Sequence, residues 1–217
     1  MTDRTASIIA YWDAAAVTFD DEPDHGLRAD STRAAWTRLL HTLMPTTADV
    51  LDIGCGTGSM SLLLAEAGHR ATGVDLAPRM VQQARTKFEA AGLDGRFLVG
   101  DAMMPPTGEQ QFDVVLSRHL LWTLPDPEAA LRDWVKRLRP GGRLVLVEGR
   151  WHEAGQSGAP YVDGAESLPW NGGIGAEDLT EAVRPLVAAV RIEPLSSDPD
   201  LWGGPVDDER YALIADL

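Results

Sequence analysis

The chain predicts an α/β fold built on a mostly parallel sheet, and three observations carry the prediction. Between Ala48 and Gly149 short apolar runs alternate with amphipathic stretches of helical period, which is the pattern of successive βαβ units. Stop and start signals fall between the runs, with Gly68 and Gly92 after two helical stretches and Asp126 with Pro127 opening a third. The length of 217 residues, with 44% hydrophobic and 24% charged, suits one globular domain with some decoration.

Residues 7 to 44 read as two helices ahead of the sheet. Ile8, Tyr11, Trp12 and Ala15 share one face, and Trp36, Leu39, Leu40 and Leu43 repeat the 3.6 spacing after a cap at Asp30 or Ser31. Between them TFDDEPDHG, residues 18 to 26, breaks the period with acids, Pro23 and Gly26 and reads as a loop. The strands are ADVLDIG, RATGVDL, GRFLVGD, FDVVLSR and GRLVLVEG. The helices between them present Met60, Leu63, Leu64 and Ala67; then Met80, Val81, Ala84 and Phe88; then Leu131, Trp134, Val135 and Leu138, with PGG at 140 to 142 as the stop after the third. Residues 150 to 175 are rich in Gly, Pro and aromatics without period, and read as a lid or pocket wall over the strand ends. AEDLTEAVRPLVAAVRIEPL then supplies a helix and a strand, and ERYALIADL a last strand. The organisation is a helical cap over 1–46, a ligand-binding core over 47–149, and a lid with C-terminal strands over 150–217.

Composition excludes several classes. With 19 basic against 33 acidic residues the net charge is −14, which repels a phosphate backbone or an anionic membrane, so neither nucleic acid nor membrane is an expected partner. The lone Cys55 rules out a disulfide framework and fits a reducing, cytoplasmic setting. The start MTDRTASIIAYWDAAA is not a secretory leader, and no run of 18 apolar residues exists to span a bilayer. Only Lys87 and Lys136 are lysines, the other basic residues being Arg, and Ala and Gly are abundant, a composition that points to a GC-rich bacterial source.

The most informative stretch is VLDIGCGTGSMSLLLAEAG, where a strand runs through Gly54, Gly56 and Gly58 into a helix. Such a turn lets backbone approach a ligand closely. A dinucleotide fingerprint would place the third glycine one position later, where Ser59 stands. Asp52, two residues before the first glycine, would repel a pyrophosphate and attract an ammonium. Asp75 ends the next strand, 23 residues on, at about the spacing of an acid that takes both hydroxyls of a ribose. Asp101 ends the third strand, where its carboxylate can accept from an exocyclic amine, with Ala102 and Met103 flanking an adenine. Cation, ribose and adenine together describe S-adenosylmethionine (SAM).

In order, VLDIGCGTG, GVD, GDA, FDVVLSRHLLW and LRPGGRLVLVEG resemble the successive motifs of the small type 11 group of class I SAM-dependent methyltransferases, over residues 48 to 149. The resemblance implies a Rossmann-like, seven-stranded sheet of order 3-2-1-4-5-7-6 with the last strand antiparallel. It implies SAM as cofactor and S-adenosylhomocysteine (SAH) as product. Carried over by position, Asp52, Gly54 and Gly56 would line the methionine part, Asp75 and Leu76 the ribose, Asp101 and Ala102 the adenine, and Ser117 with Arg118 the surroundings of the sulfonium. Tyr11, with Trp12 and Phe19 nearby, would cover the cofactor from the cap.

Methyl transfer from a sulfonium needs alignment more than a covalent nucleophile, and Cys55 is read as a small residue fitting a tight turn. An oxygen acceptor or a protonated amine must still lose its proton, and His suits that task near neutrality. His119, at the end of the fourth strand, and His25, in the acidic loop, are the candidates. Arg118, Trp122, Trp151 and Trp170 are candidate acceptor contacts, Trp202 a further aromatic outside the helical stripes. No metal is expected. The reading is a small-molecule methyltransferase of bacterial specialised metabolism, acting as monomer or homodimer. The alternatives are a protein or nucleic-acid methyltransferase, an inactive SAM-binding regulator, and an NAD-dependent oxidoreductase, the last opposed by the glycine spacing and Asp52.

Overall fold

The structure is a computed structural model and describes residues 3–151 and 162–217. Seven strands form one sheet: β1 (Asp49–Ile53), β2 (Arg70–Asp75), β3 (Arg96–Val99), β4 (Phe112–Arg118), β5 (Leu138–Arg150), β6 (Ala189–Pro194) and β7 (Glu209–Asp216). Their order is β3-β2-β1-β4-β5-β7-β6. The five strands from β3 to β5 pair in parallel, and β7 runs antiparallel to both β5 and β6. The expected sheet is therefore the one observed.

Alternation along the strands builds the two faces. Val50, Val114, Leu116, Val145 and Val147 point to one side, where α3 (Asp30–Leu43) delivers Trp36, Leu40 and Leu43 and α4 (Ser59–Glu66) delivers Met60, Leu63 and Leu64. Leu51, Ile53, Val115, Leu144 and Leu146 point to the other, against Leu131 and Trp134 of α6 (Pro127–Lys136) and Leu179 and Val183 of α7 (Ala176–Val183). The helix α5 (Pro78–Ala91) buries the predicted stripe of Met80, Val81, Ala84 and Phe88 and ends at Gly92 in the left-handed region.

Four readings need correction. The helix α3 starts at Asp30 itself, with Ala29 at the cap position and no side-chain cap bond; Asp30 sits in the first turn, where its charge favours the helix dipole. Ala67 is exposed beyond α4, which is instead enclosed from Ser59 to Leu64, because Leu62 packs toward the α5 cluster while Leu63 and Leu64 pack toward α3. Leu138 opens β5 rather than closing α6, and PGG lies within that strand: the register jumps from Phe112↔Leu138 to Val114↔Arg143, and Gly141 at φ +75 absorbs the bulge. The acidic loop is ordered as a 3-10 turn at Phe19–Asp21 and one helical turn, α2 (Pro23–Gly26), following α1 (Asp3–Ala15). Asp126 caps α6 as predicted, accepting from the Ala129 N–H at 2.9 Å. Of the predicted lid, residues 152–161 lie outside the described set; 162–175 form turns and a short 3-10 segment at Ala165–Ser167.

Candidate active site

A cavity of about 870 Å³ opens over the carboxyl ends of β1, β2 and β4, where open parallel sheets place their ligands. The volume lies in the upper part of the range of small-molecule sites, enough for a nucleoside cofactor and an acceptor together.

Its floor is the glycine turn. Gly54, Gly56 and Gly58 all take φ between +52 and +78. A Cβ at Gly54 would lie 2.8 Å from the Leu120 side chain, and one at Gly58 would lie 2.8 Å from the Ala84 Cβ, so both positions are closed to larger residues by packing as well as by φ. The turn is tied to β2 by the Gly54 and Cys55 N–H groups, which donate to the Val74 carbonyl at 2.8 and 3.1 Å.

Among the acids that line the cavity are the three that follow β1, β2 and β3 or stand at their ends. Asp52 is buried and accepts from the Ser61 hydroxyl at 2.5 Å. Burial above all pushes its carboxyl up to about 6, with the Asp75 charge adding and the Ser61 bond opposing. That is an anion in want of a cation. Asp75 receives the Gly56 N–H on one oxygen and the Ala77 N–H on the other, both at 2.9 Å, and burial still raises it above the usual carboxylate range. Asp101 is exposed and fixes its own loop through the Met103 N–H at 2.8 Å, while the Ala102 carbonyl is held by the Trp134 indole at 2.7 Å. Leu76 and Ala102 also line the cavity. The set suits a ligand with an ammonium at Asp52 and a diol at Asp75, so the residues present fit SAM.

The cap closes one side. Trp12 and Phe19 line the cavity, and Tyr11 does not: it is 40% exposed and meets Trp12 edge-on at 5.0 Å. Of the two neighbouring rings expected over the site, Trp12 is the one in the lining. The cap is latched to the glycine turn by Lys87 of α5, whose ammonium donates to Thr57 at 3.1 Å and Ser59 at 2.8 Å and pairs with Asp20 at 2.9 Å; Thr57 donates to the same Asp20 at 2.5 Å. Asp13 of α1 also accepts from the Arg79 N–H at 2.8 Å.

Two histidines complete the lining. His119, just beyond β4, has φ +53 and stands between Trp151, edge-on at 4.6 Å, and Trp202, stacked behind it at 5.8 Å. Burial holds it well below 6.5, and the positive charges of Arg118 and Arg210 push the same way. His25 stacks on Phe19 at 4.2 Å and is likewise lowered by burial, against the pull of Asp24. Both shifts favour the neutral imidazole. His119 Nε2 and His25 Nδ1 are buried with no hydrogen-bond partner among the described residues.

The remaining candidates divide. Trp122 and Trp151 line the cavity, and the Trp122 indole donates to the His119 carbonyl at 2.8 Å. Trp170 is not in the lining; it packs against the core on the α6 and α7 face. Trp202 is buried and bonded to the Leu195 carbonyl at 3.0 Å. Ser117 is wholly buried and donates to the Ile53 carbonyl at 3.0 Å, bracing β4 on β1 instead of facing the cavity. Arg118 reaches the lining, but its guanidinium is committed to the Asp24 carbonyl at 2.7 Å and the Asp24 carboxylate at 2.6 Å, over the Trp36 ring. Against the expectation of no metal, folding does gather Asp24, His25 and His119, whose donor atoms lie within 4.8 Å of one another. The Arg118 guanidinium on Asp24 sets a positive charge against any cation there. Arg210, Leu120 and Glu148 were missed; only Glu148 had a visible signal, an acid inside the apolar run LVLVEG.

Residues 51–146 match the family model for a methyltransferase domain. Over that stretch the chain is similar to a methyltransferase domain, and the curated relatives it matches are methyltransferases. Demethylmenaquinone methyltransferase of Thermus thermophilus is 39% identical over 128 residues, 58% of each chain. The chain spans about half the length of the curated relatives it matches. The [4+2]-cyclase SpnF shares the fold at TM-score 0.69 and 24% identity, over 87% of this chain and 83% of that one. The N-methyltransferase NodS of Bradyrhizobium japonicum, solved with SAH, does so at 0.67 and 18%, over 95% and 98%. Asp52, Asp75 and the glycine turn share one cavity, and no described helix is long and apolar enough to cross a membrane.

Proposed function

We propose that the protein methylates a small molecule that must lose a proton as it accepts the methyl group, with His119 as the base. One observation carries the reading: His119 lines the cavity, and its buried Nε2, which burial disfavours protonating, has no hydrogen-bond partner among the described residues. Bound SAM would supply an electrophilic methyl group. The chain's residues do the rest. Asp52 and Asp75 hold the cofactor's ends, Trp12 and Phe19 exclude water from above, and Trp122 and Trp151 offer flat apolar walls to the acceptor. His119 Nε2 takes the acceptor's proton, and a base held below 6.5 is already free to do so at pH 7. The net charge of −14 supports a small acceptor over nucleic acid. The lone cysteine and the Arg-, Ala- and Gly-rich composition support a bacterial cytoplasm, and the likeness to 27-O-demethylrifamycin SV methyltransferase supports specialised metabolism as the setting.

The test is incubation with deuteromethyl-labelled SAM and a metabolite extract, reading label separately in small molecules, protein and nucleic acid. Label in a small molecule supports the proposal, and label in a macromolecule replaces it. A second reading has its own observation, since a [4+2]-cyclase shares this fold. SAM binding with no label in any fraction would favour that non-transferring role.

A further inference from the structure

We infer that Glu148 is a positioning residue for this site: from inside the sheet its carboxylate holds the turn after β4, and through that turn it sets the His119 imidazole and the Leu120 wall of the glycine turn together. The inference rests on His119 facing the acceptor as proposed above.

Glu148 is wholly buried on β5. Its Oε1 accepts from the Leu120 N–H at 3.0 Å and the Leu121 N–H at 3.1 Å. The preceding residue on the same strand, Val147, accepts from the His119 N–H at 2.9 Å. Three successive amides are therefore fixed by two successive residues of β5. This grip holds His119 at φ +53, a conformation that costs a residue with a Cβ and persists only where its surroundings impose it. It also sets Leu120 against the glycine turn, 2.8 Å from where a Gly54 Cβ would stand.

A carboxylate is an expensive way to satisfy two amides in a sheet interior. Oε2 has no hydrogen-bond partner, and no ion pair reaches Glu148 among the described residues. The charged and titratable groups near it are Arg118 at the end of β4 and Tyr211, paired opposite on β7. Burial pushes the acid up to about 7 against the two amide bonds and Arg118. An apolar residue would pack as well and would leave the turn untied.

The test compares Glu148→Gln with Glu148→Leu in the full chain. Glutamine keeps an acceptor oxygen for both amides; leucine has similar bulk and none. The readouts are the His119 ring signals in protein labelled with carbon-13 and nitrogen-15 histidine, SAH affinity by calorimetry, and kcat against KM once an acceptor is in hand. Glu148→Gln should leave the His119 signals in place and SAH affinity within about twofold. Glu148→Leu should shift the His119 signals, weaken SAH at least about tenfold, and lower kcat about a hundredfold with a smaller change in the acceptor KM. A folded Glu148→Leu protein with unmoved His119 signals and wild-type SAH affinity overturns the inference. Should that variant not fold, amide exchange in the wild type decides. Leu120 and Leu121 amides retarded at least about a hundredfold relative to unstructured chain support the inference, and exchange at the unstructured rate refutes it. If the wild type binds SAH and methylates nothing, the functional reading fails, and the His119 and SAH readouts still decide on Glu148.

Discussion

Asp52 should make cofactor affinity and protein stability move in opposite directions. The carboxyl is buried, pushed up to about 6, and bonded to Ser61 through its hydroxyl and its backbone N–H. If the ionised form alone binds the SAH ammonium, about one-tenth of the protein is competent at pH 5 and about nine-tenths at pH 7. Affinity should then rise about tenfold over that interval, about 1.4 kcal/mol. Asp52→Asn keeps an oxygen for Ser61 and loses the charge. It should weaken SAH by about 1.5–3 kcal/mol at pH 7 and flatten the pH dependence. Stability runs the other way. The folded value lies above the ordinary 3.8, so the folded state holds the proton more tightly. Stability is therefore full below about pH 4 and declines as pH rises toward 6. The interval from 3.8 to about 6 corresponds to about 3 kcal/mol, which Asp52→Asn should recover at pH 7 as a higher melting temperature. Calorimetry with SAH and thermal melts at pH 5, 6 and 7 measure both. The difference between wild type and variant isolates Asp52 from Glu148, which titrates near 7. Affinity equal at pH 5 and 7, with no gain in melting temperature for the variant, would refute the assignment of the ammonium to Asp52.

Three further outcomes are expected. His119→Ala should slow transfer by about 10²–10⁴-fold with SAH affinity near normal, and because burial holds His119 well below 6.5, wild-type turnover should show no loss of base function between pH 6.5 and 8; single-turnover rates against pH decide both. Trp12→Ala should cost SAH affinity about tenfold, about 1.4 kcal/mol, whereas Tyr11→Ala should stay within about 0.5 kcal/mol, since only Trp12 lines the cavity; equal losses would restore Tyr11 to the site. Cys55, buried and raised well above 9.0, should react with a thiol reagent only as fast as the protein unfolds, which a denaturant series reads out.

The core of the fold was legible because its signals are local. Strand runs, the Gly54–Gly58 turn, the acids closing β1, β2 and β3, and the Asp126 cap each declare themselves within a few residues. The cofactor half of the site inherits that legibility, since Asp52, Asp75 and Asp101 all line the cavity. What failed depends on contacts distant in sequence. Tyr11 and Trp12 are adjacent, and only the seating of α1 decides which ring turns inward. Ser117 and Arg118 look alike as polar strand-end residues, yet one is claimed by the Ile53 carbonyl and the other by Asp24, 94 residues away. Trp170 and Trp202 had no period to betray that they serve the core. The pairing of His25 with His119 was invisible, because nothing near either one announces the other.

The knot of Lys87, Asp20, Thr57 and Ser59 bears on time as well as on place. Phe19 and Trp12 line the cavity, and the knot fastens the segment carrying them to the glycine turn. Lifting this segment would break a half-buried ion pair and its hydroxyl bonds, groups that salt screens only weakly. If ligand exchange requires that movement, the residence time of SAH would be set at Lys87, which is outside the cavity lining.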